Sequence, residues 1–461
     1  MNLPKPRPID ATTGNLWSSI IAYTIPLILG TLVQTCFNAI DLMVLGNMAD
    51  TNAVASVGAT SMIISLLVNS FIGIAGGSKI ILAHYIGARN TGKITKTVNT
   101  SLILALVLGI LIAAAGIPLA PFFLNITNCP AECFTGAAIY IRIFVAGAPA
   151  ILVYNFGAAI LTATGDSQRP LYYIIFSGLV NVVLNILFCL LFTQKVAGVA
   201  LSTLISQLVG AGLVINRLLK MEGEYRLIFR QMRFDLRSFK KIMAQGLPLA
   251  LNNALYPFAN LQIQSAINTF GVSAISGNSA CMTVEGIPGA FSGAFGSTAT
   301  VFVGQNLGAE NPRRAQSSFL RCLLATCTAG LILGAGIFLT GRFWLSLFLP
   351  NDPAGIDYGM IRMFYVVLFY PIACANSVLG AAIQAHGHAP YTAFSSILCV
   401  CVFRLLWMWF VYPHFQVFDM LMACFLISWT LCLFFNIAGY FLFCKGYSQK
   451  IKKQYRRLIS R

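Results

Sequence analysis

The sequence predicts an all-α integral membrane protein in which twelve transmembrane helices form two parallel repeats of six. Of its 461 residues 57% are hydrophobic and only 9% are charged, and the mean hydropathy is +0.78. Soluble domains carry about 25% charged residues. Apolar segments recur along the whole chain, and landmarks of the first half return in the second.

Each predicted span follows from the length that a bilayer requires, which is about 20 mostly apolar residues. Glycine, proline and charged residues divide the apolar sequence into twelve such segments. Their approximate bounds are 17–45, 53–82, 98–121, 133–158, 171–193, 198–218, 243–267, 274–303, 318–340, 358–382, 391–412 and 419–443.

The loops predict the orientation, because loops rich in Lys and Arg stay on the cytoplasmic side. Nearly all loop-borne basic residues fall on one side of the predicted bundle, and the opposite loops contain only Lys195 and Arg342. Both termini are therefore expected in the cytoplasm, with the protein in the cytoplasmic (inner) membrane. No small-residue cleavage site follows the first apolar segment, so we expect no removable signal peptide.

These assignments divide the chain into five parts. They are a cytoplasmic N-terminus (1–16), an N-terminal six-helix lobe (17–218), a cytoplasmic linker (219–242), a C-terminal six-helix lobe (243–443) and a basic tail (444–461). The net charge of +17 sits in loops and in the tail, where it suits anionic lipid headgroups. No basic segment has interleaved aromatic residues, so nucleic acid is not an expected partner.

An internal repeat relates the two lobes. Pro26 corresponds to Pro248, "YIGARN" (85–90) to "NLGAEN" (306–311), and "YIRIF" (140–144) to "MIRMF" (360–364), at offsets of 220–222 residues. An even number of helices per repeat makes the repeats parallel. Parallel repeats are typical of transporters whose binding sites lie near the middle of the membrane.

Enzyme chemistry has little support. The sequence has no GxxxxGK[ST] phosphate loop, no HExxH zinc motif and no serine nucleophile motif, so we expect neither catalysis nor a cofactor. Its 13 cysteines lie mostly in apolar runs without metal-ligand spacing. Cys129 and Cys133 share a predicted outer loop, where a disulfide is an option but not a requirement.

Asp41 is the first candidate functional residue, because a carboxylate within an apolar span is costly and marks ion pathways or proton relays. Gln34 and Asn38 are close enough along the helix to share its face. The carboxylate could bind a proton or Na⁺, and Na⁺ is the one metal ion expected here. Alternatively, Asp41 ends the span and is hydrated at the outer surface.

Three further segments of the N-terminal lobe offer polar groups. Asn181 and Asn185 stand one helical turn apart in the fifth span and could either coordinate an ion or join helices by hydrogen bonds. Asn155 and Thr203 could also line the site.

The C-terminal lobe has its own candidates. Glu285 lies beside a glycine-rich and proline-containing stretch and is either a protonation or substrate site or a buried structural partner. Arg404 could pair with an acid or border a cavity. Arg142 and Arg362 occupy equivalent repeat positions, which favours an architectural role such as bonding to helix-end carbonyls.

The chain resembles the MATE (multidrug and toxic compound extrusion) family along essentially its whole length. The resemblance rests on a proline-led first helix with Asp41, the turns "GARN" and "GQNLGAEN", "TATGDSQRP" (162–170), and "NVVLN" in the fifth span. "SGNSACMTVEGI" (276–287) is similar to the branch of DNA-damage-inducible bacterial proteins.

This resemblance implies a two-lobed, monomeric antiporter that exchanges H⁺ or Na⁺ for organic, often cationic amphipathic, compounds such as drugs. The matches at Asp41, Asn181 and Thr203, together with the position of Asn185 one helical turn from Asn181, predict these four as the cation-binding residues. The resemblance for Gln34 and Asn155, together with the residue patterns for the others, predicts Gln34, Asn38, Asn155, Tyr256, Glu285 and Arg404 as substrate-binding residues. Asn185 replaces an acid of many relatives, and Tyr256 stands about where other branches place a glutamate.

Two functions other than antiport fit parts of the sequence. A flippase of a lipid-linked precursor would need several basic residues in its cavity, for which Arg142, Arg362 and Arg404 are the candidates. A membrane receptor would need an appended signalling domain, which the sequence lacks.

Overall fold

The computed structural model describes residues 8–48, 51–127 and 129–445, and all regular secondary structure within these ranges is helical. The α-helices, in chain order, are α1 (Leu16–Met48), α2 (Thr51–Gly87), α3 (Thr91–Ile126), α4 (Ala131–Ala146), α5 (Ala148–Ala163), α6 (Gln168–Leu191), α7 (Lys195–Leu219), α8 (Leu236–Asn268), α9 (Val272–Gly308), α10 (Pro312–Leu339), α11 (Gly341–Phe348), α12 (Pro353–Arg362), α13 (Tyr370–Ala385), α14 (Ala389–Ser396), α15 (Phe403–Leu406), α16 (Tyr412–Phe415) and α17 (Phe418–Gly439).

These helices supply the predicted number of membrane spans. Within the described ranges, nine helical stretches are long and apolar enough to cross a membrane, and the bent pair α4 and α5 makes up to ten. The helices α8 and α9, with 33 and 37 residues, are also long enough to cross a membrane, but their sequences are less apolar. With these two the spans number twelve, and the all-helical fold class is confirmed.

The fourth predicted span, 133–158, is not one continuous helix. It is bent by 47° between α4 and α5. Pro149 stands in the first turn of α5, where its missing amide hydrogen costs nothing, whereas inside a longer helix it would remove a hydrogen bond. In the adjoining predicted outer loop, Cys129 and Cys133 are both free thiols.

Packing divides the chain into two units. Unit 1 holds the chain up to Asp10 and Ile25–Ala250, whereas unit 2 holds Ala11–Thr24 and the residues from Leu251 onwards. The beginning of α1 is thus grouped with the second half, and the beginning of α8 with the first.

Glycines allow α2 and α8 to approach closely within unit 1. A Cβ atom on Gly73 would lie 2.4 Å from the Cα of Ala250, and one on Gly77 would lie 2.4 Å from the carbonyl oxygen of Ile242. Neither distance leaves room for a side chain. Contact through the backbones of small residues is a common way to pack helices in membranes.

Among the described residues, turns of π-helix occur in unit 2 and not in unit 1. They lie at Met363–Val367, Ile397–Val402, Trp407–Val411 and Tyr440–Lys445. The first directly follows α12, and the second and third flank the four residues of α15 on both sides. Single π turns inside helices are frequent at functional sites.

The two units share one kind of turn, which accounts for the repeated "GARN" and "GAEN" sequences. After α2, Arg89 takes a φ of 50°, and the Asn90 side chain accepts a hydrogen bond from the Lys93 amide at 3.1 Å. After α9, Glu310 takes a φ of 55°, and Asn311 caps α10 through the Arg314 amide, also at 3.1 Å. The repeat is therefore visible in the backbone.

Candidate functional site

Asp41 lies at the end of the apolar stretch of α1, Leu16–Asp41. Residues at i, i+3 and i+7 share one helical face, and Gln34, Phe37 and Asp41 accordingly line one cavity of unit 1. Asp41 is half-buried. The side chain of Asn38, predicted on the same face, lies outside the described part of the chain.

The two asparagines of α6 contact the Asp41 carboxylate. Asn185 Nδ2 donates to Asp41 Oδ1 at 2.5 Å. With its amide nitrogen turned towards Asp41, Asn181 donates to the same oxygen at 2.6 Å and reaches Oδ2 at 3.1 Å. Both asparagines are buried. Two amide donors therefore stabilise the charge of the carboxylate, and no ion pair among the described residues includes Asp41.

Helix α7 supports the asparagines from behind. The Ser202 hydroxyl contacts Asn185 Oδ1 and also lies 2.8 Å from the carbonyl oxygen of Val199. Thr203 Oγ1 lies 3.5 Å from the Asn181 amide and donates to the same Val199 carbonyl at 3.0 Å. The structure thus brings Thr203 to the predicted group.

The cavity in front of Asp41 has a volume of about 110 Å³. A water molecule occupies about 30 Å³ of liquid, and pockets for drug-sized ligands measure about 300–1,000 Å³. In this conformation the cavity therefore has room for an ion or proton with a few waters, and not for a drug.

Several polar residues of the site were not predicted from the sequence. Ser202 was not singled out, and neither were the cavity-lining residues Tyr154, Ser177, Ser206 and Gln207. Their positions in the sequence could have indicated them, because each lies next to a predicted residue or one helical turn from it. Asn155 does not line the cavity: its Nδ2 donates to the Ile151 carbonyl of its own helix at 2.8 Å.

The predicted residues of unit 2 form a second group. Arg362 Nη2 pairs with Glu285 Oε2 at 2.6 Å, and Arg362 Nη1 donates to Asn278 Oδ1 at 3.0 Å. Arg362 is only 4% exposed, whereas its repeat partner Arg142 is exposed. The expected bonding of this pair to helix-end carbonyls is wrong for Arg362, because an acid and an amide of α9 supply better acceptors.

Arg404 of α15 is fully buried in unit 2. Its Nε donates to Ser428 Oγ at 3.1 Å and its Nη1 to Asn260 Oδ1 at 2.6 Å. The guanidinium carbon lies 4.2 Å from the ring centre of Phe425 and 5.7 Å from that of Tyr256. Two residues predicted separately, Tyr256 and Arg404, are therefore neighbours.

Comparisons with known proteins agree with this architecture. A family model described as MatE matches residues 26–187 and 248–410, and these two ranges begin 222 residues apart, as the repeat predicts. The chain is 26% identical to the probable multidrug resistance protein YpnP of Bacillus subtilis (strain 168) over 89% of this chain and 90% of YpnP. It is 24% identical to the probable multidrug resistance protein YoeA of the same strain over 84% of this chain and 85% of YoeA.

Among solved structures, a MATE protein in the bent conformation superimposes with a TM-score of 0.86 at 21% identity, covering 97% of this chain and 99% of the other. This similarity confirms the two-lobed, twelve-helix fold. The matches of the family model cover more than half of the chain, one in each repeat. The chain therefore belongs to the MatE family, the MATE transporters.

Proposed function

We propose that this protein is a secondary active multidrug efflux transporter, which exchanges H⁺ or Na⁺ for organic, cationic amphipathic compounds by alternating access. The single observation that carries the proposal is the Asp41 carboxylate, held by Asn181 and Asn185 at a small cavity in a predicted membrane span. The protein would act as a monomer in the cytoplasmic membrane, with both termini inside.

Ser202 supports a cycle in which Asp41 gains and loses a proton. With Asp41 ionised, Asn185 donates to the carboxylate and Ser202 donates to Asn185. With Asp41 protonated, the Asn185 amide can turn, so that the carboxyl donates to its oxygen and its nitrogen donates to Ser202. The Ser202 hydroxyl then donates to Val199. Every group keeps a partner in both states, which avoids the cost of a buried unsatisfied donor or acceptor.

The same network favours H⁺ over Na⁺ as the coupling ion. Na⁺ is a hard cation and prefers oxygen ligands. The Asn185 oxygen faces Ser202, and the Asn185 nitrogen faces Asp41. A sodium ion would require the oxygens of both asparagines to turn towards Asp41, whereas a proton requires only the Asn185 amide to turn.

Coupling follows if the cation and the drug favour different conformations, because a ligand with equal affinity for both shifts nothing. Outward-facing, Asp41 takes up the cation and the drug leaves. Inward-facing, the cation leaves and the drug binds again. Each net charge moved adds about 2.3 kcal/mol per 100 mV of membrane potential.

The test is efflux of a fluorescent cationic dye from vesicles containing the purified protein, under an imposed pH gradient or an imposed Na⁺ gradient. We expect the pH gradient to drive the wild type and Asp41→Asn to lose the gradient-driven flux. Glu132→Gln, which neutralises an exposed acid outside the cavity, serves as the control and should retain most of that flux. Unimpaired gradient-driven efflux by folded Asp41→Asn would refute the assignment.

Dye movement under the Na⁺ gradient alone would make Na⁺ the coupling ion. If neither gradient moves dye while the protein is folded, transport of a lipid-linked precursor becomes the better interpretation, and the same vesicles can be assayed for flipping of a labelled lipid phosphate.

A further inference from the structure

The charges within unit 2 do not balance. Glu285 and Arg362 neutralise each other, but none of the ion pairs among the described residues includes Arg404. The remaining acids of unit 2 in the described ranges are Glu310, Asp352, Asp357 and Asp419. Glu310, Asp357 and Asp419 are exposed, and Asp352 caps α12. The interior therefore carries one surplus positive charge, at Arg404.

Arg404 also has an unused donor. Its Nε and Nη1 bind only a neutral hydroxyl and a neutral amide, from Ser428 and Asn260, and its buried Nη2 has no hydrogen-bond partner. The rings of Phe425 and Tyr256 contribute cation–π attraction, which offsets part of the desolvation. A buried cation without a counter-charge is nevertheless costly. An anion at Nη2 would remove both costs.

The backbone around Arg404 offers a way for such a ligand to enter. In this conformation Arg404 is sealed from solvent. Turns of π-helix, Ile397–Val402 and Trp407–Val411, precede and follow its four-residue helix. These turns have non-standard hydrogen bonding, and a shift between π and α geometry would rotate Arg404 relative to its neighbours.

We infer that Arg404 anchors an anion-binding subsite in unit 2, which takes the carboxylate or phosphate-ester group of an organic substrate with an aromatic body. The inference rests on the proposed transport of organic compounds and deepens it: acidic or zwitterionic compounds join the cationic ones as substrates. One oxyanion oxygen accepts from Nη2, while Ser428 and Asn260 hold the guanidinium in place. The ring of Tyr256 offers a face for the aromatic body.

The test is equilibrium dialysis of the full-length protein in detergent, without any ion gradient. The probes are 2-naphthoate and 2-naphthamide, which share ring and size but differ in charge. A hydrogen bond to a charged group predicts about ten- to a hundredfold tighter binding of the naphthoate. Equal binding of the two probes to the wild type would overturn the inference, and this comparison requires no variant.

Variants locate the effect. Arg404→Gln should bind naphthoate no better than naphthamide, and Arg404→Lys should lose most of the preference, because an ammonium lacks the planar fork. Arg142→Gln is the matched control, since Arg142 is exposed, and should keep the wild-type preference. A preference that survives in both folded Arg404 variants would also overturn the inference.

A second arm distinguishes a soluble substrate from a lipid. The protein in phosphatidylcholine nanodiscs, with and without phosphatidic acid, is titrated with 2-naphthoate and then with 2-naphthyl phosphate as competitor. We expect competition by the soluble phosphate. Displacement by phosphatidic acid alone would assign the site to a lipid headgroup and refute the soluble substrate. Because no gradient is used, failure of the Asp41 coupling would leave these results unchanged.

Discussion

Unit 1 and unit 2 hold their membrane-embedded acids in different ways. In unit 1, Asp41 faces a small cavity and is bound by two neutral amides. In unit 2, Glu285 is bound by the guanidinium of Arg362. A carboxylate held by amides can lose its charge while its partners reorient, whereas neutralising Glu285 would leave Arg362 as an unpaired buried cation. Loss of charge therefore leaves no unpaired ion at Asp41 but leaves one beside Glu285.

The repeat explains why the two units share a fold without sharing a site. The capped turns at Asn90 and Asn311 recur with the same geometry, because they are set by local backbone requirements. The charges do not recur: the position equivalent to Asp41, near 262, carries no acid. Arg142 and Arg362 are equivalent in sequence, but only Arg362 is buried.

Neutralising each acid in turn should show the difference between the two units most clearly. Glu285→Gln should lower the free energy of unfolding by about 3–5 kcal/mol, because it leaves Arg362 buried without its counter-charge. Asp41→Asn should change it by no more than about 1 kcal/mol, because Asn keeps an acceptor for the amides. Denaturant titration of the detergent-purified variants measures both values.

The double variant Glu285→Gln/Arg362→Met is the control for this experiment. It removes the unpaired cation and should recover much of the stability lost in Glu285→Gln. Equal losses in Glu285→Gln and Asp41→Asn would contradict the distinction between an acid that balances a buried cation and an acid that is held by neutral amides.

A second experiment tests whether Ser202 belongs to the proposed proton-binding network of Asp41. Ser202→Ala leaves one atom of the Asn185 amide without a partner in either protonation state of Asp41. We expect a loss of about 1–3 kcal/mol in the free energy of unfolding and a shifted pH profile of gradient-driven efflux. Ser70→Ala is the matched control, since Ser70 lies outside the cavity and its Oγ donates to the Leu66 carbonyl of its own helix. A pH profile unchanged by Ser202→Ala would exclude Ser202 from the proton-linked network.

Helical periodicity made part of the site predictable. Gln34 and Asp41 were expected on one face of a helix, as were Asn181 and Asn185. Gln34, Asp41 and Asn181 line the cavity, and Asn185 donates to Asp41. Thr203 also lies where it was expected. The number of spans could be predicted because the hydrocarbon thickness sets the length of an apolar segment.

The other contacts of the site depend on how separate helices pack against one another, which a local sequence pattern does not show. The contact of Ser202 with Asn185 depends on how α7 packs on α6, and the Glu285–Arg362 pair joins residues 77 positions apart. The Asn155 amide donates to a backbone carbonyl of its own helix, so it does not take part in the site. Helix ends were missed for another reason: α3 runs over Thr91–Ile126 and not 98–121, since a helix continues beyond the hydrocarbon layer.

The helix caps that the two units share allow a further test, with a small change in stability. Asn90 and Asn311 each cap a helix by accepting one amide hydrogen bond at 3.1 Å, so Asn90→Ala and Asn311→Ala should each cost about 1 kcal/mol. Asn90→Asp and Asn311→Asp, which keep a capping oxygen, should restore most of that loss. Thermal unfolding with paired variants measures the difference. Because the two caps have the same geometry and differ only in their surroundings, a several-fold larger loss at one of them would show that tertiary contacts, and not the repeated turn, stabilise that end of the helix.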